Sequence, residues 1–419
     1  MTGRATVKDL RQRNRAAVLR RIVLAGETTR AKVAADCALS SATVTNVVSD
    51  LMREGLVEEN GSLPSDGGRP IARLRAAAGA AHLIGADVGE HGVTVELFDL
   101  SLSRVDRVFS TLPTRVTSLD RVAEAVSGAV ASIRAANPAQ EPSLIGIGLG
   151  LPGIVDTTAD GTTTIYAQSL GWRPIRLDQL FQAPGVPVFA DNGAKTLATA
   201  EMWFGAARGV PHSIVALVGR GLGIGVIAGG RLLRGLSSSA GEWGHTKVSI
   251  GGPACQCGGR GCLEAYVGGD AIVRRWRETG ADVVGSDEQG LAQLITAAEE
   301  GDAAAARVLD ETLDILGLGL ANLVNLFNPA QIVVGGWAGL RLLEKRHAEL
   351  QAYVGRYALH RPGEQARLES CRLGDDAVAL GAALLPLEQL IEGTLPSPEG
   401  AGMRPGKSSL RSRFRRGAA

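Results

Sequence analysis

Val18, Leu19, Ile22 and Val23 share one face of the stretch from Asn14 to Leu24, a spacing that predicts an amphipathic helix ended by Gly26. A second, short helix is expected from Arg30 to Cys37, capped by Thr28 or Thr29 and burying Val33 and Ala34. After Ala38-Leu39, Ser40 or Ser41 can cap a third helix that runs to Arg53. Val44, Val47, Val48 and Leu51 recur there at i, i+3, i+4 and i+7 and must face inward. The opposite face is then Ala42, Thr43, Thr45, Asn46 and Ser49, small and polar. Gly55-Leu56-Val57 starts a strand, Asn60-Gly61 predicts a turn, and Ser65 to Pro70 forms a flexible basic tip before the strand Ile71 to Leu74. The order predicts a winged helix-turn-helix over residues 1–77, with Arg69 at or beside the wing.

From His82 onward the pattern changes to alternating strand-like and helix-like stretches, as in an α/β domain. Leu83 to Val88 and Val93 to Leu97 read as two strands around a glycine turn, and Leu144 to Gly150 as a buried strand ending at Leu151-Pro152-Gly153. Val186 to Phe189 leads through Asp191-Asn192 into a helix from Ala194 to Phe204. Ile214 to Val218 runs into the loop Gly219 to Gly223, and Ile332 to Val334 ends in Gly335-Gly336. Glycine-rich turns after apolar strands let backbone N–H groups approach phosphates or sugar hydroxyls. Each turn alone is weak evidence; the ordered succession carries the weight.

The chain has 419 residues, 45% hydrophobic and 21% charged, enough for a sizeable core. The formal net charge of +1 hides a division. Basic residues outnumber acidic ones up to Arg75, and the remainder compensates. A basic excess beside a small polar helix face points to duplex DNA, with Arg30, Ser41, Thr43, Thr45, Asn46, Ser49 and Arg69 as candidate contacts. The first residues carry arginines and no apolar segment, so a secretory signal is not expected. The most apolar window, Leu313 to Leu326, is broken by Asp314, Asn322 and Asn325, so a membrane span is not expected either. A cytoplasmic protein is expected. The tail from 395 to 419 is rich in Pro, Gly and Ser and then basic, and reads as disordered.

Chemistry concentrates between Gly241 and Glu264, where G-E-W-G-H is followed by C-Q-C-G-G-R-G-C-L-E. One His and three Cys, namely His245, Cys255, Cys257 and Cys262, match the tetrahedral nitrogen and thiolate sites of Zn²⁺. Four protein ligands leave no position for water, so the expected zinc is structural. The two remaining cysteines, Cys37 and Cys371, sit in apolar surroundings and are expected to be buried small hydrophobes.

These motifs, together with Gly148-Leu149-Gly150-Leu151-Pro152-Gly153, resemble the ROK family (repressors, open reading frames and sugar kinases), specifically its transcriptional-regulator branch. The resemblance runs from about Asn14 into the early 390s. It implies a two-lobed actin-like, hexokinase-like and ribonuclease H-like fold over residues 78–394, with a sugar in the cleft. It further implies a homodimer or homotetramer, and sugar contacts from Asn192, Glu242, His245 and Glu264. Two carboxylates, an amide and an imidazole suit the hydroxyls of a hexose.

Sugar kinases of the family carry a general base in a segment resembling E-N-D-A-N. Here that segment reads Asp191-Asn192-Gly193-Ala194-Lys195, and the base position is Gly193, which has no side chain. Losing a positioned base costs about 10²–10⁴-fold in rate. Glu90 follows the first Asp-x-Gly and would repel a triphosphate, and Arg220 replaces the Thr usual between the glycines of the second phosphate loop. No catalytic residue is therefore expected. The expected function is a DNA-binding regulator, a repressor of genes for carbohydrate uptake or catabolism, with a degenerate kinase domain sensing a sugar or sugar phosphate. The rival reading is an ATP-dependent sugar kinase that also binds DNA.

Overall fold

Thr6 opens the first helix, α1 (Val7–Ala25), through a capping box in which its hydroxyl accepts from the Asp9 amide and the Asp9 carboxylate accepts from the Thr6 amide. The computed structural model describes residues 6–64, 70–89, 92–112 and 118–395. α1 starts two turns before Asn14, the expected start. Those turns are exposed, Val7 and Leu10 included, and bury no apolar face, so periodicity could not reveal them. Strand β1 (Thr28–Thr29) leads into α2 (Arg30–Cys37), capped by Thr29, and α3 (Ser41–Arg53) is capped by Ser40. Strands β2 (Val57–Leu63) and β3 (Ile71–Ala76) complete a sheet in the order β1-β3-β2. Asn60 and Gly61 do not form a turn. They make a bulge inside β2, where the register against β3 shifts between Glu59 and Ser62 and Gly61 takes a φ of 71°. The Asn60 amide is drawn aside to Glu27 Oε1 at 2.7 Å, and the strand continues past it.

The body contains two five-stranded sheets of identical design. In the first, β4 (His82–Val88), β5 (Gly92–Asp99) and β6 (Arg104–Thr111) form an antiparallel meander; α4 (Leu119–Ala136) then crosses to β7 (Leu144–Leu151), parallel to β4. A small sheet of β8 (Ile154–Thr157), β9 (Thr163–Tyr166) and β10 (Ile175–Arg176), with a short helix α5 (Leu177–Leu180), intervenes before β11 (Val188–Asn192) joins β7. The strand order is β11-β7-β4-β5-β6. Helix α6 (Gly193–Phe204) crosses to the second sheet, whose meander is β12 (His212–Val218), β13 (Leu222–Ala228) and β14 (Arg231–Leu232). Helices α7 (Glu264–Val267), α8 (Gly269–Glu278), α9 (Asp287–Glu299) and α10 (Ala303–Phe327) precede the parallel strand β15 (Gln331–Gly335). Helices α11 (Trp337–Tyr357) and α12 (His360–Gln365), strand β16 (Arg367–Ser370) and helix α13 (Ala377–Glu392) complete the chain. The order β14-β13-β12-β15-β16 repeats that of the first sheet. Such a duplication is the actin-like, ribonuclease H-like architecture that the resemblance implied.

α6 and α13 lie against each other between the two sheets. Every α6 residue from Ala194 to Glu201 is buried, and most are Ala or Thr, so the helices approach closely. A methyl group at Gly381 of α13 would stand 1.9 Å from the Thr196 carbonyl oxygen, and one at Gly148 of β7 would stand 1.8 Å from that of Ala382. Only glycine fits at these two crossings. One apolar core runs without a break from Val18, Leu19 and Ile22 of α1 to Leu384, Leu387 and Leu390 of α13. The winged-helix head is thus packed on the first lobe. No described helix is long and apolar enough to cross a membrane.

Cys37 departs from expectation: it is half-buried, with its sulfur 3.6 Å from the Ala17 carbonyl oxygen. Cys371 is buried as expected, but in a polar role. Its thiol donates to Glu201 at 2.8 Å, and burial pushes its pKa up to about 12.

Candidate functional site

The face of α3 left over from packing is the polar one. Val44, Val48 and Leu51 are fully buried and Val47 half-buried, whereas Ser41, Thr45, Asn46 and Ser49 are exposed. Thr43 is half-buried and bonds through its hydroxyl to Ser40 Oγ at 2.8 Å. Ser49 Oγ donates back to the Thr45 carbonyl. Arg30, at the start of α2, pairs with Glu59 on β2 at 2.9 Å, so it is held against the wing strand. Arg69 lies outside the described residues, as do Glu90 and the basic tail from 396 onward.

A second cluster forms where β13, the long loop that follows β14, and α7 meet. Among the described residues, His245, Cys255, Cys257 and Cys262 bring one ligand atom each to within 4.8 Å of one another. Cys257 Sγ and Cys262 Sγ are 3.7 Å apart, as are Cys255 Sγ and His245 Nδ1. A tetrahedron with metal–sulfur bonds of about 2.3 Å has sulfur–sulfur edges of about 3.8 Å. The donor set and spacing therefore fit a four-coordinate ion. Lys247 places its ammonium 2.7 Å from Cys262 Sγ, a cation suited to offset the surplus charge of three thiolates around a divalent metal. The loop reverses at Gly258 and Gly261, whose φ values of 85° and 68° lie in the left-handed region.

Glu242 and Glu264 are half-buried, and both carboxyls feel His245. Burial raises the pKa of both, and His245 counters the rise in each case. Glu264 accepts the Leu222 amide with Oε2 at 2.9 Å and has Oε1 3.8 Å from Cys255 Sγ. It thereby ties the sheet to the thiol cluster. Asn192 behaves mainly as a helix cap: its Oδ1 accepts from the amides of Ala194 and Lys195, and its Nδ2 donates to the Gly153 carbonyl at 2.7 Å. One N–H of its amide remains for a ligand.

Lys195 is the member that sequence reasoning overlooked. It is 1% exposed, donates to the carbonyl of Ser238, and feels the charges of Asp191 and Glu242. Burial lowers its pKa. Asp191, buried beside it, is paired with Arg234 at 2.6 Å and accepts the Asn192 amide at 2.8 Å, so both of its oxygens are engaged. No spacing marked it, because α6 is buried on every side from Ala194 to Glu201 and the Ser238 partner lies 43 positions away.

The parallel register sets Asp87, Gly150 and Asp191 in one row at the carboxyl edge of the first sheet, where ligands of open α/β sheets bind. Gly193 starts α6 at this edge. A methyl group there would meet nothing closer than 3.9 Å, so space exists for a side chain that the sequence does not supply. Across the cleft, Arg220 is held by Asp287 at 3.3 Å.

The model of the ROK family matches residues 83–389. The xylose repressor of Bacillus spizizenii (strain ATCC 23059 / NRRL B-14472 / W23) is 30% identical over 389 residues, covering 90% of this chain and 96% of that protein. The DNA-binding transcriptional dual regulator NagC of Escherichia coli (strain K12) is 32% identical over 333 residues, covering 78% and 81%. The crystal structure of a ROK family transcriptional regulator, a homologue of the E. coli MLC protein, matches with a TM-score of 0.74 at 24% identity and covers 92% of this chain and 97% of that one.

Proposed function

This chain belongs to the ROK family, and on that premise we propose that it is a sugar-responsive transcriptional repressor of carbohydrate uptake or catabolic genes. The observation that carries the reading is the union, in one chain, of a polar α3 face and a carboxylate-lined cleft whose base position is Gly193. The first suits duplex DNA, and the second suits a sugar that is held without being phosphorylated. Relatives named as a xylose repressor and as the regulator NagC support both halves.

In this reading the head comprises residues 1–77, the sensing body 78–394 and a basic tail the rest. Ser41, Thr43, Thr45, Asn46 and Ser49 face the major groove, with Arg30 and Arg69 toward the phosphates or minor groove. Glu242, His245, Glu264 and the remaining N–H of Asn192 meet sugar hydroxyls. A structural zinc held by His245, Cys255, Cys257 and Cys262 would fix the loop and orient the His245 ring. The chain acts in the cytoplasm as a homodimer or a homotetramer built from dimers. Each dimer would set two α3 helices about 34 Å apart, in successive major grooves of a near-palindromic site. With no carboxylate at 193 and Asp191 committed to Arg234, the body is a degenerate kinase that lacks the group needed to deprotonate a sugar hydroxyl.

The test is selection of genomic DNA fragments by the purified protein, with and without pentoses, hexoses, amino sugars and their phosphates. Recovery of a short palindromic motif near carbohydrate genes, lost or gained with one sugar, is the expected result. Recovery of no motif would defeat the reading.

A further inference from the structure

α1 touches both lobes. Its first half is fastened to α13, which packs on β4 and β7 of the first sheet: Arg15 donates to the carbonyls of Leu390 and Ile391, and Gln12 to that of Glu392. Its second half meets the far end of α6 at Trp203; α6 packs on α13 along its length and, of the two large sheets, more on the second, against β12 and β13. Arg20 lays its guanidinium 4.8 Å from the centre of the Trp203 ring, and Arg208 donates to the Leu24 carbonyl at 3.0 Å. Arg20 also reaches Glu388 of α13 at 3.5 Å. One arginine of the head therefore bridges α6 and α13.

The two ends of α6 lie at different sites. Its amino end is Asn192, Gly193 and Lys195 in the cleft. Its carboxyl end, about 18 Å away for a helix of this length, is Trp203 beneath the head. Glu201 makes that end rigid with the second lobe: its carboxylate, fully buried, accepts the amides of Ala206, Arg372 and Leu373 as well as the Cys371 thiol. Between the ends, the α6–α13 contact is lined by Ala, Thr and Gly381, so the two helices meet backbone to backbone there.

We propose that α1 straddles the hinge between the lobes, and that Arg20, with Arg208, converts movement of α6 past α13 into rotation of the head. Arg20 is a positioning residue: it touches neither sugar nor DNA, and it acts by where it holds α1 and hence α3. The proposal rests on the sugar-sensing reading and adds the route by which occupancy reaches the head.

The experiment uses full-length protein and a duplex that it selects from a random-sequence pool. Duplex affinity is measured by fluorescence anisotropy, with and without each of D-xylose, D-glucose, N-acetylglucosamine and their phosphates at saturation. The double variant Arg20→Met/Arg208→Met is expected to bind the duplex within about threefold of wild type and to keep its calorimetric heat with the effective sugar. Its sugar-dependent change in duplex affinity is expected to fall below twofold, against fivefold or more in wild type. An undiminished change in the variant overturns the proposal, whereas no change in wild type with any sugar defeats the sensing reading instead. Gly381→Ala supplies a perturbation free of sugar, because it forces α13 away from Thr196. It is expected to shift duplex affinity about fivefold in the wild-type background and less than twofold in the double variant. Equal shifts in the two backgrounds also overturn the proposal, and circular dichroism checks that each variant is folded.

Discussion

His245 presents Nδ1 to Cys255 Sγ at 3.7 Å, and the same imidazole acts on the carboxyls of both Glu242 and Glu264. One ring stands between a thiol cluster and the two carboxylates of the proposed sugar site. Order in the loop and affinity in the pocket should therefore fail together.

Stripping the metal, or replacing Cys257 with Ser, tests that link. Native protein is expected to carry about one zinc per chain by atomic absorption. The stripped or substituted protein should bind its sugar about 10- to 100-fold more weakly, the usual scale for losing an orienting partner. Unchanged calorimetric affinity after metal loss would separate the two sites.

In the proposed sugar site Glu242 meets a hydroxyl, whereas the helix and sheet contacts run through Asn192 and Glu264. Glu242→Gln should leave the melting temperature near wild type and weaken sugar binding about tenfold or more, in keeping with about 1.5–3 kcal/mol for a hydrogen bond to a charged group. Calorimetry and a thermal melt on the same sample give both numbers.

Gly193→Asp places a carboxylate where the nearest atom to a new methyl group is 3.9 Å away. The substitution exchanges glycine for a side chain in the first turn of α6, where an acid also favours the helix dipole. Stability should rise by about 0.5–1 kcal/mol in a denaturant melt. Wild-type protein with ATP, Mg²⁺ and any hexose should release ADP no faster than background in a coupled assay. Turnover by the wild type would restore the kinase reading.

On α3, Asn46→Ala should cost about 1–3 kcal/mol with the selected duplex and relax preference at one base position. Ser40→Ala should act differently. It removes the bond to the Thr43 amide, lowering head stability by about 1 kcal/mol and weakening all duplexes alike. A binding matrix of the two variants against single-base changes distinguishes the effects.

Local periodicity exposed the parts of the fold it governs. Val44, Val48 and Leu51 are buried as their spacing required, and α2 spans the residues expected. What escaped was non-local or unpatterned. The first turns of α1 carry no apolar face, and Asn60-Gly61 has turn chemistry inside a continuing strand. In the candidate site, the four metal-type ligands lie within one short window and so could be read together. Lys195 and Ser238 meet only through the fold, 43 positions apart, and Arg20 reaches Trp203 from another part of the chain altogether. Contacts of that kind leave no spacing to read.

The most direct test of a sugar-responsive DNA reader is a single anisotropy titration: the selected duplex, the full-length protein, and the sugar that gives a calorimetric heat, beside the same titration of Glu242→Gln. Duplex affinity is expected to change at least fivefold with sugar in the wild type. In the variant, the change should require about tenfold more sugar or more. Identical duplex affinity with and without that bound sugar in the wild type would contradict the account.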